Sequence, residues 1–431
     1  MIRPDRNTAP PGGAEPLPAD RPQALLSEAR ERTLWLVERV SAADLERVHD
    51  PLMSPLVWDV AHIAAFEELW LCMRAGGHEP MHPELLDVYD ALETPRAIRG
   101  DVPHLDRDGA YEYLAAVRRR ALGVLDAGGG SGVWEMVVQH EQQHDETMLQ
   151  TLALADPGVF VPSGRRPAPR GSLRTGGMIR IPAGPFVAGA AAAGFAYDNE
   201  RPRHEVDLHE FAIDALPVTA GEFTAFVEAG GYERREWWSE EGWAWVTDTG
   251  ARRPLRWTAD GRERRFGRLV DLDPSLPVMH VSWFEADAYA RSVGKRLPTE
   301  LEWEKAAAWG PDARAPRTYP WGEGEPTPER ANLDQTAFGP VPAGALAAGA
   351  SAYGVLGLVG DAWEWTASEF TGYPGFRAFP YREYSEVFFD SGYRVLRGGS
   401  WATRPRVARN SFRNWDLPQR RQIFAGFRCA A

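Results

Sequence analysis

From Gln23 onward apolar residues return every three or four positions, at Leu25, Leu26, Ala29, Leu34, Leu36 and Val37. That is the period of a helix with one buried face. The next run, SPLVWDVAHIAAFEELWL, is almost continuously apolar, and Ser54-Pro55 reads as an N-cap followed by proline in the first helical position. It predicts a helix reaching Leu71. Two more periodic stretches, about Arg107 to Leu125 and, after the glycine-rich loop 128–132, Val133 to Leu154, predict two further helices. Four helices on short connections predict a bundle, a fold whose ligand sites are built from side chains facing inward.

Beyond Leu154 the pattern changes. Residues 156–177 are rich in proline, glycine and arginine without any period and read as a linker, while the proline-rich residues 1–22 read as a disordered tail. From Met178 the apolar positions fall in short β-like runs: MIRIPAGPFVAG, HEVDLHEFAI, PVMHVSW and YRVLRGGSW. Two helices are evident, Ala220 to Ala229 and Phe284 to Val293, and the connections between elements are long and rich in Trp, Gly and Pro. The predicted class is therefore α + (α+β), a four-helix bundle followed by an α+β domain with much irregular chain. No repeat at solenoid periods is present.

The 431 residues allow two or three domains. The formal net charge of −13, from 48 basic and 61 acidic residues, argues against a nucleic-acid partner that needs a cationic footprint. No uncharged apolar run is long enough to span a bilayer. Two cysteines, Cys72 and Cys429, exclude a disulfide-built fold and any site made of cysteines alone. The expectation is a cytoplasmic monomer acting on small molecules, with no nucleic-acid or membrane partner.

The strongest local signal is His140-Glu141-Gln142-Gln143-His144 on the last predicted bundle helix. Imidazoles at i and i+4 share a helix face and reach one metal ion. The pattern also matches the H-E-x-x-H of zinc proteases, with Glu141 as general base. The extended protease form wants Gly at 147 and His at 150, where Thr147 and Gln150 stand, which argues against the protease, and Glu141→Gln is expected to leave substantial activity. Without a metal, the pair would be two polar helix histidines. A third imidazole favours the metal: Trp58, His62, Phe66 and Leu69 share one face, which turns His62 toward the bundle interior. Three neutral imidazoles suit Fe(II), Zn or Cu and leave positions open for other ligands. The histidines at 49, 78, 82, 104, 204, 209 and 280 show no ligand spacing, and His280 is the best candidate for a buried structural one.

The segments PLMSPLVWDVAHIAAFEELWL, HEQQHDETMLQ, DNERPRHEVDL, GKRLPTELEWEKA, GDAWEW, YRVLRGGSW and SFRNWDLPQRRQIFAGFR carry a resemblance. From about Gln23 to Arg428 the chain resembles the hercynine oxygenases of ergothioneine biosynthesis, iron-dependent sulfoxide synthases that join γ-glutamylcysteine to the imidazole C2 of hercynine. The resemblance implies a DinB-like iron-binding bundle over 23–155 and, over 178–431, a domain similar to the formylglycine-generating enzyme, with a C-type-lectin-like fold. It implies Fe(II) as cofactor, O2 as co-substrate, and His62, His140 and His144 as metal ligands. Arg96 and Arg99, with Asp416 and Arg420, would surround the γ-glutamylcysteine; Gln143, Asn414 and Trp415 would surround the hercynine. Tyr381 would be the catalytic tyrosine with Tyr384 close by, in a stretch shorter than the family pattern. Guanidinium forks suit carboxylates, and an aromatic face such as Trp415 suits a trimethylammonium. The alternative is a selenoneine synthase taking a selenosugar, which has no carboxylates to engage the arginines. The second domain lacks the paired cysteines of its namesake, having only Cys429, which argues against sulfatase activation. A non-catalytic lectin-like binding module would leave the three histidines idle.

Overall fold

The computed structural model describes residues 21–130, 132–162 and 176–431. The tail expected at 1–22 lies outside the described residues except at its end, where Pro22 already opens a helix; most of the expected linker also lies outside them. The described residues divide into two compact units, one of residues 21–162 with Phe266–Arg268, the other of the remaining residues from 176 to 431.

The first unit is helical. Its long helices are α1 (Pro22–Val37), α3 (Leu56–Glu67), α4 (Arg107–Asp126) and α5 (Trp134–Leu154), with a short α2 (Ala42–Glu46) between the first two. α1 packs on α5, and α3 packs on both α4 and α5. Asp106 caps α4 by accepting from the Gly109 N–H at 2.8 Å. Ser54 does not cap α3. Pro55 holds the cap position, and the Ser54 hydroxyl instead accepts a bond from Arg99. The chain also stays helical past Leu71, because α3 runs into a π-helical stretch, Glu68–Ala75.

One buried charge cluster takes a residue from each long helix. Arg30 of α1 binds Glu67 of α3 at 2.6 Å and Glu141 of α5 at 2.8 Å; Arg118 of α4 binds the same two carboxylates at 2.6 and 2.9 Å. Two cations meet two anions, and Thr33 adds a hydroxyl bond to Glu141 at 2.8 Å. The guanidiniums also donate to main-chain oxygens, Arg30 to Leu114 O and Arg118 to Leu26 O. Such a cluster survives burial only because every charge is matched.

The second unit has little regular sheet. Its largest sheet has four strands in the order β10 (Ala425–Gly426), β7 (Trp363–Glu369), β8 (Arg394–Arg397) and β9 (Asn414–Asp416). The β10–β7 pair is parallel and the other two are antiparallel, with a register shift in β7 between Trp365 and Glu369. β1 (Met178–Ile181) pairs with β4 (Phe211–Asp214), β2 (Gly184–Ala188) with β3 (His204–Leu208), and β5 (Arg262–Arg265) with β6 (Arg268–Asp271). Helices α6 (Ala220–Glu228) and α8 (Trp283–Ser292) match the two predicted ones. α7 (Glu240–Thr249) and α9 (Glu300–Ala308) were not predicted, although Thr299 and Glu302 form a capping box in LPTELEWEKA.

PVMHVSW is not a strand. It makes a single bridge, Thr219 to Pro277, because His280 adopts a left-handed φ of 61° that breaks the extended chain. The long loops are held by buried arginines. Arg413 pairs with Glu300 through two 2.8 Å bonds and also donates to Asn199 O and Thr371 O; Arg428 pairs with Glu364 and donates to Asp214 O, Leu356 O and Gly357 O. Planar forks thus satisfy loop carbonyls that no ladder reaches. In RGGSW, Gly398 ends β8 with φ 95°, and a Cβ there would lie 2.4 Å from Leu358 O. Among the described residues no helix is long and apolar enough to cross a membrane, and Cys72 and Cys429 are both free and buried.

His280 gives this unit a pH dependence. The ring is buried, its Nδ1 lies 3.2 Å from Arg421 O, and burial with the nearby Arg256, Arg265 and Arg421 charges pushes its pKa down to about 3. The folded state keeps it neutral, whereas the unfolded chain takes up a proton below about pH 6.5. Its contribution is therefore present above pH 6.5 and falls by about 1.4 kcal/mol per unit as the pH drops toward 3. His280→Asn tolerates the left-handed backbone without titrating. Lowering the pH from 7 to 5 should depress the thermal midpoint of the parent protein more than that of His280→Asn; parallel shifts in both would refute the assignment.

Candidate metal centre

His62 comes from α3, and His140 and His144 from successive turns of α5. Each offers one ligand atom, and the three atoms lie within 4.8 Å of one another. Among the described residues this is the group of three such side chains that could hold a metal ion. The Nε2 atoms of His62 and His140 are 3.2 Å apart.

The surroundings fix each ring. His62 Nδ1 donates to Tyr89 O at 2.7 Å, and the ring stacks on Trp58 with centroids 4.8 Å apart. His144 Nδ1 sits 3.1 Å from Asp59 Oδ1. The His140 ring lies flat on Phe66, with centroids 3.6 Å apart. A proton on Nδ1 of His62 and of His144 leaves each Nε2 lone pair unprotonated. Burial, then the neighbouring imidazoles, hold His62 and His140 well below the usual histidine range, so both rings stay neutral. Convergent lone pairs this close repel one another unless a cation accepts them. The donor set therefore fits a divalent ion of borderline softness, with three nitrogens bound and other positions left for exogenous ligands.

Asp59 escaped sequence analysis. It is fully buried, one carboxylate oxygen holds His144, and the other has no hydrogen-bond partner among the described residues. Its signal was its place three residues before His62 in an otherwise apolar run. Glu141 lies one residue from His140, but its side chain is spent on Arg30, Arg118 and Thr33. Those cations hold its carboxyl below the usual range despite complete burial. A carboxylate so engaged is no base for a metal-bound water, and the protease reading falls with it.

The other sequence-predicted residues divide between the units. In the first, Gln143 lies between the two α5 histidines in sequence and donates to Gln139 O at 3.2 Å. Arg99 is buried, and its guanidinium lies 3.7 Å from the centroid of Trp58, the residue that also stacks on His62. Three of its five N–H groups go to Thr94 O, Ser54 Oγ and Ala91 O, leaving two. Arg96, which opens the 3₁₀ turn Arg96–Ile98 that Arg99 caps, is half-buried and touches Met53 Sδ at 3.9 Å.

In the second unit Asn414, Trp415 and Asp416 form strand β9. Asp416 lies 3.7 Å from Arg420 Nε and accepts a bond from Gln422 at 3.4 Å. Trp415 stacks on Phe370 at 4.2 Å and meets the Tyr384 ring edge-on at 5.6 Å; Tyr381 meets Tyr384 edge-on at 6.3 Å. Tyr197, also missed, lies parallel to Tyr384 at 4.0 Å.

Two substitutions separate ring orientation from bundle stability. Asp59→Asn should weaken metal binding by about 10- to 100-fold, as read by competition with a chelator, with little change in the apo melting midpoint. Glu141→Gln leaves two buried guanidiniums facing one carboxylate and should destabilise the apo protein by about 3 to 5 kcal/mol. Equal effects of the two variants on both measurements would show that the residues do not have these separate roles.

Comparison with known proteins covers both units. Residues 25–148 match the family model of the DinB superfamily, and residues 164–431 match that of the sulfatase-modifying factor enzyme 1-like domain. The chain is 48% identical over 419 residues to the hercynine oxygenase of Mycolicibacterium thermoresistibile, covering 94% of this chain and 93% of the relative. It is 49% identical over 416 residues to the hercynine oxygenase of Mycobacterium tuberculosis, covering 94% and 97%. A formylglycine-generating enzyme from Thermomonospora curvata is 34% identical over 299 residues, covering 59% of this chain and 93% of that one. With the helical unit, the second domain and nearly the full length matched together, the chain belongs to the hercynine oxygenase family.

Proposed function

We propose that this protein is an O2-dependent, non-haem Fe(II) sulfoxide synthase that joins the sulfur of γ-glutamylcysteine to the imidazole C2 of hercynine. The observation that carries the reading is the convergence of His62, His140 and His144 in a chain matched along its length by hercynine oxygenases. Bound at these imidazoles, Fe(II) would supply dioxygen activation and a meeting point for the thiolate and the hercynine ring.

In this reading the chain's own groups bind, orient and move protons. Arg96, the two remaining N–H groups of Arg99 and Arg420 share the two carboxylates of γ-glutamylcysteine, and Asp416 neutralises the glutamyl ammonium. The buried face of Arg99 on Trp58 ties its placement to the wall of the histidine site. Hercynine's trimethylammonium is attracted by the Trp415 ring, an interaction of about 0.5 to 2 kcal/mol, while Asn414 and Gln143 offer amides to its polar groups.

Tyr381 biases the outcome between two oxidations. Both oxygens of O2 can end on sulfur as a sulfinic acid, or the sulfur can couple to the imidazole C2 and keep one oxygen, while the other leaves as water with the hydrogens of the thiol and of C2. A phenol that hands a proton to the oxygen being reduced steers away from the second sulfur oxygenation. Tyr384 supports that ring; burial first, then the neighbouring phenols Tyr197 and Tyr381, raise its own pKa well above the usual range.

Anaerobic loading with Fe(II), followed by air, hercynine and one sulfur donor at a time, tests the activity by product mass. The expected product is the γ-glutamylcysteine conjugate sulfoxide; a selenosugar accepted in preference to γ-glutamylcysteine overturns the donor assignment. Ala at His62, His140 or His144 should remove iron retention and turnover. Arg96→Ala should raise the KM for γ-glutamylcysteine more than about tenfold, for a charge-assisted bond worth about 1.5 to 3 kcal/mol, and leave that for hercynine nearly unchanged. Tyr381→Phe should keep iron and shift products toward γ-glutamylcysteine sulfinic acid. If Tyr384→Phe shifts them instead, the proton donor is Tyr384.

A further inference from the structure

The tyrosine loop has an anchor that the reaction scheme does not use. Ser385, directly after Tyr384, is completely buried at the junction of two short 3₁₀ turns, Arg382–Tyr384 and Glu386–Phe388. Its hydroxyl donates to Asp198 Oδ1 at 2.5 Å and accepts from Asn199 Nδ2 at 3.0 Å. The other oxygen of Asp198 accepts the Phe379 N–H at 3.2 Å, on the far side of Tyr381. One carboxylate therefore grips the loop at 379 and at 385, and both tyrosines lie between the two grips.

The turn that carries this carboxylate is itself rigid. Asp198–Glu200 is a 3₁₀ turn in which Glu200 accepts from Tyr197 N at 2.8 Å, from Arg409 Nε at 2.8 Å and from Ser411 Oγ at 2.7 Å. Arg413 donates to Asn199 O at 2.8 Å. Tyr197, just before the turn, lays its ring on Tyr384 with an interplanar angle of 8°. Both Asp198 and Asn199 are almost wholly buried, so their bonds to the loop are not exchanged with solvent. A loop whose only regular structure is two short 3₁₀ turns thus meets a preformed template at three points: main chain at 379, ring at 384, hydroxyl at 385.

We propose that Tyr197, Asp198 and Asn199 are positioning residues for the tyrosine pair, setting the phenol of Tyr381 by fixing the loop on both sides of it. The inference rests on the sulfoxide-synthase reading for its catalytic consequence. The physical grounds are general: an irregular segment holds one conformation only when its surroundings over-determine it, and a proton donor misplaced by about 1 Å loses much of its effect. Burial pushes the Asp198 pKa up to about 6, although the bonds from Ser385, Phe379 N–H and Asn199 N–H act the other way.

The test uses the full-length Fe(II)-loaded enzyme and variants Asp198→Ala, Asp198→Asn, Ser385→Ala and Tyr197→Phe. Asp198→Asn keeps the size and one acceptor, which guards against a variant that fails to fold. Two measurements are made: amide hydrogen exchange of residues 379–388, and the ratio of sulfinic acid to conjugate sulfoxide at fixed iron content. Asp198→Ala and Ser385→Ala should speed exchange in that segment more than tenfold and raise the ratio at least threefold, with smaller changes in Asp198→Asn. Tyr197→Phe, which keeps the ring contact, should move both less than Asp198→Ala. Unchanged exchange in Asp198→Ala and Ser385→Ala overturns the template, and faster exchange with an unchanged ratio reduces it to a structural anchor and overturns positioning. If Tyr381→Phe and Tyr384→Phe both leave the ratio unchanged, the tyrosine assignment fails and the positioning role falls with it, while the exchange result still decides the anchor.

Discussion

The bundle depends on the four-residue charge cluster of Arg30, Glu67, Arg118 and Glu141. Each long helix contributes one member, so no helix can rotate or slide without separating a buried pair. Apolar packing alone tolerates such movements, because it is non-directional. Forked guanidinium–carboxylate contacts do not. Glu141 belongs to this cluster while His140 and His144 belong to the histidine site, so α5 is clamped through one set of side chains and presents the other. A helix turn of 100° per residue makes this division possible with adjacent positions.

The same device appears in the second unit with a different purpose. There the chain has too little ladder to satisfy its carbonyls, and Arg413 and Arg428 each join a carboxylate to several loop oxygens. At these positions the planar fork is what lets one side chain hold several segments. Removing the fork leaves both a carboxylate and carbonyls without partners, a larger loss than the ion pair alone.

Orientation of small rings is the recurring task. In the first unit a main-chain oxygen, a buried carboxylate and two aromatic faces set three imidazoles. In the second, the Tyr197–Glu200 segment sets Tyr384 and the chain around Tyr381. The Arg99 guanidinium covers the same indole that stacks on His62. Arg99 apart, the groups assigned to substrate are only half-buried, whereas Trp58, Asp59, Tyr197 and Asp198 are buried, as expected where rigidity must come from the scaffold.

Much of the first unit was legible along the chain, because helical periodicity and the i, i+4 histidine spacing are local properties: the four long helices and the three imidazoles followed from residues close in sequence. The helix ends were less so. Ser54 has the chemistry of a cap, but Arg99, 45 residues away, takes its hydroxyl, and only tertiary packing brings them together. The strand misread at PVMHVSW shows the opposite failure, an apolar run broken by one left-handed residue whose conformation is stabilised by its surroundings. Spacing alone did not show what holds Glu141 and left Asp59 unnoticed, because the partners that define them, Arg30, Arg118 and His144, lie on other helices or far along the chain. Sequence by itself determined which side chains exist and which share a helix face; which of them face a common point, and which are spent on holding the others in place, was decided only when distant segments met in a buried environment, where each polar group must find its partner.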